Sequence, residues 1–136
     1  MSNLNTKSLF ISHAWSQNQQ PWKKVVGWFE SDPGFSWTNC SCPDTSVLRD
    51  KSSKSLTDEI IRQIASAQTV IILSEMYAAN SEWVDFEISV AKRMKKFIIG
   101  VAPLERGKMP KKLQEAADLT VGGHSSSLLN MVKFIV

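Results

Sequence analysis

Short, continuous apolar runs alternate along the chain with stretches in which apolar residues recur every three to four positions. The clearest runs are 7–12, 69–74 and 97–102, and weaker ones occur at 35–39 and 119–121. Runs of this length without polar alternation are typical of strands that are buried on both faces of a sheet. The pattern therefore predicts five strands.

The stretches between these runs predict amphipathic helices. Pro21 suits the first turn of a helix, and Trp22, Val25, Val26 and Phe29 then follow the helical period. The same reasoning gives a second long helix and a third, which begins at Asn80 or Ser81. The five predicted helices cover about 21–31, 55–67, 80–95, 110–117 and 125–136.

Alternating strands and helices predict an α/β fold. We expect a single domain over 1–136, with a doubly wound, mostly parallel five-stranded sheet of the flavodoxin-like type, strand order 2-1-3-4-5, and helices on both faces. Right-handed crossovers bring the loops that follow the strands to one rim, where ligands of such sheets bind. The predicted rim loops are 12–20, 40–53, 74–80, 103–108 and 122–126.

Composition narrows the classes of function. The 16 basic and 13 acidic residues give a net charge of +3, and the densest basic cluster, 92–96, falls at a predicted helix end, where cations complement the helix dipole. We therefore expect no nucleic-acid partner. No apolar run reaches the roughly 18 to 20 residues that cross a bilayer, so we expect a cytoplasmic chain without a membrane partner. Cys40 and Cys42 make a weak metal site, and we expect no metal.

Glu87 is the strongest candidate for chemistry. In a projection of the predicted third helix at about 100° per residue, it falls inside the apolar arc, one turn beyond Trp83. Burying an ionised carboxylate is unfavourable, and such penalties cluster at functional sites. A carboxylate there can bind ribose hydroxyls, stabilise a developing cation or act as a base. The alternative is a structural glutamate that caps a loop or pairs with a lysine.

Other groups at the predicted rim are less specific. Ser12, His13 and Trp15 follow the first strand and suit polar capture and stacking of a nucleotide, although His13 could be bound by loop backbone and Trp15 could cover the core. Tyr77, the only tyrosine, could stack on a ligand or pack internally. The segment 122–126, Gly-Gly-His-Ser-Ser, could cradle a phosphate, but a flexible turn with a serine cap is favoured because it matches no phosphate-loop spacing.

Three sequence blocks together resemble one family. They are Leu9-Phe-Ile-Ser-His-Ala-Trp15, Thr69-Val-Ile-Ile-Leu-Ser74 and Ser81-Glu-Trp-Val-Asp-Phe-Glu87. In order and spacing they resemble TIR-like domains, and most closely the short, flavodoxin-like bacterial branch that includes the TIR-like subunit of the Thoeris anti-phage system. The resemblance spans about 7–102.

The resemblance implies an enzyme that cleaves the bond between nicotinamide and ribose in NAD⁺. Glu87 matches the family's catalytic glutamate, and Trp83 would pack to orient it. NAD⁺ is then a substrate, with no cofactor or metal required. In Thoeris-type relatives the ADP-ribose moiety is cyclised into a signal that activates a partner effector. The implied lining of the nucleotide cleft is Phe10, Ser12, His13 and Trp15, with Ser74 and Tyr77 opposite.

The chain departs from animal TIR domains in two places. The Arg-Asp-x-x-Pro-Gly loop is missing, since Arg49-Asp50 is followed by Lys51-Ser52, and Phe10 stands where an acidic residue is common. Loop-mediated assembly is therefore not implied, although a homo-oligomer stays open. Two other functions also stay open: a non-catalytic TIR-like signalling module, and an enzyme like nucleoside deoxyribosyltransferases, which also use a carboxylate against an N-glycosidic bond.

Overall fold

A parallel sheet forms the centre of the molecule in the computed structural model, which describes residues 6–13, 19–41, 53–105 and 107–134. Its five strands are all parallel, in the order β2-β1-β3-β4-β5. This confirms the predicted flavodoxin-like α/β fold. The strands are β1 Lys7–Ile11, β2 Trp37–Asn39, β3 Thr69–Leu73, β4 Phe97–Val101 and β5 Leu119–Val121.

The described helices pack on this sheet in two groups. Helix α1 packs against α6, whereas α2 packs against both β1 and α4, and α4 packs against α3 and β4. Right-handed crossovers place the α1 and α2 layers on opposite faces of the sheet. The helices are α1 Gln20–Glu30, α2 Ser53–Ser66, α3 Ser74–Ala79, α4 Ser81–Arg93, α5 Lys111–Ala116 and α6 Ser125–Phe134.

The core lies where the central strands are covered on both faces. All five residues of β3 are buried, as are Leu9, Phe10 and Ile11 of β1. Continuous burial explains why these strands show no polar alternation in the sequence. Among the described helices, none is long and apolar enough to cross a membrane.

The segment 74–80 differs from its prediction. The predicted rim loop there is wrong, because the chain turns from β3 directly into helix α3. The Ser74 hydroxyl donates to the Val101 carbonyl oxygen at 2.6 Å, and the Met76 and Tyr77 side chains are buried against the core. A helix of six residues is too short to show a helical period in the sequence, which is why the pattern missed it.

Some element boundaries also differ from the sequence pattern. Strand β2 begins at Trp37 rather than Phe35, because the Phe35 amide donates to the Asp32 carbonyl in a turn and its ring packs 5.3 Å from that of Phe29. Helix α2 begins at Ser53, two residues before the predicted start. Most of the predicted loop 40–53 and the last two residues of the predicted final helix lie outside the described residues.

Gly123 occupies a position of close backbone approach. A Cβ atom there would overlap the Pro103 carbonyl oxygen and lie 2.8 Å from the Ala102 carbonyl oxygen. The turn before α6 is thus packed tightly on the loop after β4. This packing explains the glycine at position 123, and a phosphate-binding role is not needed to explain it.

We expect Gly123→Ala to destabilise the fold by about 1 to 3 kcal/mol, because the added methyl group has no room. Gly27→Ala is the matched control, since a Cβ at Gly27, within α1, meets nothing within 4 Å. That change should stabilise the chain by about 0.5 to 1 kcal/mol through helix propensity. Urea unfolding of both variants measures the difference, and equal midpoints would contradict the packing argument.

Candidate functional site

Glu87 lies on the buried face of α4. The side chain is 0% exposed, and its helical neighbours Val84, Ile88 and Ala91 are also buried. On the opposite side of the helix, Glu82, Asp85, Ser89 and Lys92 are exposed. The helical projection therefore predicted the position of Glu87 correctly. The helix α4 that carries it packs against α2, α3 and β4.

Trp83 and Phe86 form an aromatic pair beside this buried face. Both are half-buried, and their rings meet edge to face, with centroids 5.9 Å apart and planes at 86°. Trp83 shares a helix face with Glu87, since the two are four residues apart. The orienting role of Trp83 stays a prediction.

Phe10 and Ser12 lie at the carboxyl end of β1, and both are fully buried. The Ser12 hydroxyl accepts a hydrogen bond from the Leu73 amide at 3.1 Å, and the Ser12 amide donates to the Ile71 carbonyl at 2.8 Å. Ser12 therefore joins the ends of the two central strands. Trp15, predicted to lie beside them, is outside the described residues.

His13 is the first member of a buried polar chain that reaches into α2. Its Nε2 lies 3.3 Å from Gln63 Oε1, and Gln63 Nε2 donates to Glu59 Oε2 at 2.8 Å. Glu59 in turn pairs with Arg62, whose Nε donates to Oε1 at 3.0 Å. The side chains of His13, Gln63 and Glu59 are all buried. The helix α2 packs against both β1, which precedes His13, and α4, which carries Glu87.

Burial sets the charge of His13. Loss of solvation lowers its pKa from 6.5 to about 4, and it outweighs the hydrogen bond with Gln63 and the nearby charge of Glu59, which both raise the pKa. The imidazole is therefore neutral at pH 7.

Ser74 and Tyr77 bind groups within the protein. Ser74 donates to the Val101 carbonyl, as described above, and the Tyr77 hydroxyl donates to Asp85 Oδ1 at 2.8 Å. Burial first, and then the Asp85 carboxylate, raise the pKa of Tyr77. These bonds fix α3 against β4 and α4. The expected roles of Ser74 and Tyr77 in lining a nucleotide cleft stay predictions.

A cavity of about 560 Å³ lies between the first turns of α1 and the loop after β4. Its volume is within the range of small-molecule pockets. Its lining includes Glu75, whose Oε2 accepts a hydrogen bond from the Leu104 amide at 2.6 Å. Glu87 is not among the described residues that line it, namely Gln20, Pro21, Lys23, Lys24, Glu75, Leu104 and Glu105.

Comparison with known families decides the assignment. The family model for the TIR-like domain of the Thoeris protein ThsB matches residues 10–108, nearly three quarters of the chain. The chain belongs to this Thoeris ThsB TIR-like family. The resemblance inferred from the three sequence blocks is thus confirmed. No curated protein matches the chain.

The match to the ThsB TIR-like family runs from β1 to the loop after β4. It includes all the described residues that the sequence nominated for the site, together with the polar chain of His13, Gln63 and Glu59. Within the described ranges, no three histidine, cysteine, aspartate or glutamate side chains are grouped so that they could hold a metal ion.

Sequence reasoning missed Glu59 and Gln63 in this ThsB-type domain. A helical projection of α2 puts Gln63 only about 20° from Leu56, at the edge of the apolar stripe. The projection that found Glu87 could therefore have found Gln63. Its bond to His13 joins residues 50 positions apart, which no local pattern shows.

A second polar contact that the sequence did not predict lies at the end of β2. The Trp22 Nε1–H donates to Ser41 Oγ at 3.1 Å, and that hydroxyl donates to Asn39 Oδ1 at 2.6 Å. Ser41 is fully buried. This contact anchors the chain to α1 just before the long segment that follows β2.

The low pKa of His13 predicts how stability depends on pH. In the unfolded chain His13 takes up a proton near pH 6.5, whereas in the folded domain it does so only near pH 4. The folded state therefore binds fewer protons in this window, and stability falls as the pH drops from about 6.5 to 4, by up to about 3 kcal/mol from this residue.

Urea unfolding between pH 7 and pH 4 tests this. We expect His13→Gln to show a shallower loss of stability with falling pH than His124→Gln, which removes an exposed histidine and should keep the slope of the original chain. Equal slopes for the two variants would show that the His13 ring is not held neutral by burial.

Proposed function

We propose that this ThsB-type domain consumes NAD⁺ by cleaving the bond between nicotinamide and ribose, and converts the ADP-ribose moiety into a linear or cyclic nucleotide signal. The observation that carries the proposal is Glu87, a carboxylate with no exposed surface on the packed face of α4. Membership of a Thoeris family supports a role in anti-phage defence.

The chemistry requires a fixed negative charge next to the ribose. When the C1′–N bond breaks, its electron pair goes to the positively charged nicotinamide ring, which leaves as neutral nicotinamide. Positive charge then develops on C1′ and the ring oxygen of the ribose, as in other glycosidic cleavages. The Glu87 carboxylate would stabilise this charge and accept a hydrogen bond from a ribose hydroxyl. Such stabilisation is strongest where water is excluded, as it is around a buried side chain.

The second step determines the product. Attack of water on C1′ gives ADP-ribose and releases one proton, whereas attack by a nucleophile within the ADP-ribose moiety gives a cyclic product and also releases one proton. A soluble product of either kind can carry a signal to a separate partner effector. The chain itself then needs no contact with that effector.

A non-catalytic TIR-like signalling module is the second candidate. The observation in its favour is that the Ser74 and Tyr77 hydroxyls, expected to face a nucleotide, bind Val101 and Asp85 instead. Such a module would neither bind nor cleave NAD⁺.

We expect Glu87→Gln to lower the rate of nicotinamide release from NAD⁺ by roughly 10²- to 10⁴-fold, because the amide lacks the charge that stabilises the transition state. The assay uses the purified chain, alone and with an extract of infected cells as the activating trigger. Glu82→Gln is the matched control, since it makes the same change on the exposed side of the same helix. It should keep the original rate, and an unchanged rate in Glu87→Gln would remove the catalytic assignment.

Calorimetry separates the remaining functions. We expect the Glu87→Gln variant to bind NAD⁺ more tightly than free nucleosides, because a dinucleotide site contacts both halves of the molecule. Preferential binding of a nucleoside would favour an enzyme of the deoxyribosyltransferase type. Absence of binding to either ligand would favour the non-catalytic module.

A further inference from the structure

We propose that Glu59 and Gln63 are positioning residues that hold His13 in its Nε2–H tautomer, so that Nδ1 is a hydrogen-bond acceptor at the carboxyl end of β1. The role in catalysis rests on the proposed function. The tautomer itself rests on the hydrogen-bond geometry alone.

The first step is the orientation of the Gln63 amide. Its Nε2 lies 2.8 Å from Glu59 Oε2, and the Glu59 carboxylate is paired with Arg62. An ionised carboxylate can only accept hydrogen bonds, so the Gln63 group that faces it must be the NH₂. The Gln63 oxygen is then turned towards His13.

The second step is the protonation of the imidazole. Gln63 Oε1 lies 3.3 Å from His13 Nε2, and an amide oxygen can only accept. The proton of the neutral ring must therefore be on Nε2. Nδ1 then carries a lone pair and cannot donate.

Two aromatic rings also pack against the His13 imidazole. The Phe10 ring lies 5.9 Å from the His13 ring, tilted by 48°, and Trp22 meets it edge to face at 6.5 Å and 85°. Trp22 is itself fixed by its bond to Ser41. The position of Nδ1 is therefore set by contacts from β1, α1 and α2 together.

A neutral acceptor suits the proposed reaction. An imidazolium at the rim would oppose the positive charge that develops on the ribose, whereas a neutral ring does not. The lowered pKa of His13 agrees with this requirement. In this tautomer Nδ1 is an acceptor only, so the ring brings no positive charge to the rim.

The tautomer can be measured directly, because the chain contains only two histidines, His13 and His124. In ¹⁵N-histidine-labelled protein at pH 7, long-range ¹H–¹⁵N correlations report which ring nitrogen carries the proton. The His124→Gln variant assigns the signals. We expect His13 to be protonated on Nε2 alone, and an Nδ1–H or mixed ring in the original chain would overturn the proposal whatever its activity.

Gln63→Met tests the positioning role, since it keeps the approximate length of the side chain but removes the acceptor. We expect the His13 signals to lose the pure Nε2–H signature, and kcat for nicotinamide release to fall about tenfold, the effect of one ordinary hydrogen bond. The same replacement at Gln114, an exposed glutamine of α5, is the control and should leave both unchanged. Urea unfolding shows whether Gln63→Met remains folded.

Glu59→Gln keeps a hydrogen-bonding side chain, but an amide can both donate and accept. The Gln63 amide can then take either orientation, so that either its oxygen or its NH₂ group faces His13. We expect mixed His13 tautomers and a kcat between those of the original chain and Gln63→Met. A tautomer change with unchanged kcat in both variants would contradict the positioning role. If the original chain releases no nicotinamide while His13 shows the Nε2–H form, the proposed function fails and the tautomer assignment stands.

Discussion

Burial of the Glu87 carboxylate is the physical constraint on which the proposed function depends. An apolar residue at position 87 would pack more favourably, because an ionised carboxylate loses its hydration when it is buried. The surrounding helix face is otherwise apolar, with Val84, Ile88 and Ala91 all buried. The helices α2 and α3 and the sheet pack against α4, and a charge in such a buried environment interacts more strongly with its neighbours than a charge in water does.

The rim of the sheet is organised by hydrogen bonds that span distant parts of the chain. Ser12 ties β1 to β3, Ser74 ties α3 to β4, and His13 reaches α2 through Gln63. A site built on such bonds is fixed before any ligand binds, and this lowers the cost of reorganisation in a charged transition state. Ser12, His13 and Ser74, which the sequence nominated as ligand contacts, thus bind groups within the protein, and their contact with a ligand stays a prediction.

Features that depend on neighbouring residues could be predicted from the sequence, whereas features that depend on contacts between distant residues could not. The strands β3 and β4 are continuous apolar runs, so the sheet could be predicted from the sequence pattern. The long helix α4 shows a clear helical period, so the carboxylate of Glu87 on its apolar face could be predicted as well. Helix α3 has six residues and no visible period, so the sequence pattern wrongly predicts a loop there. The pairing of His13 with Gln63 depends on the strand order and on helix packing, and no spacing along the chain encodes it.

The unfolding free energy of Glu87→Met tests most directly whether this carboxylate is kept for function rather than for the fold. Methionine is a good helix former of similar length and needs no hydration. If Glu87 serves chemistry, the variant should be at least as stable as the original chain in urea unfolding at pH 7. A loss of about 3 to 5 kcal/mol, typical of breaking a structural buried ion pair, would show that Glu87 holds the fold together and would contradict its retention for chemistry.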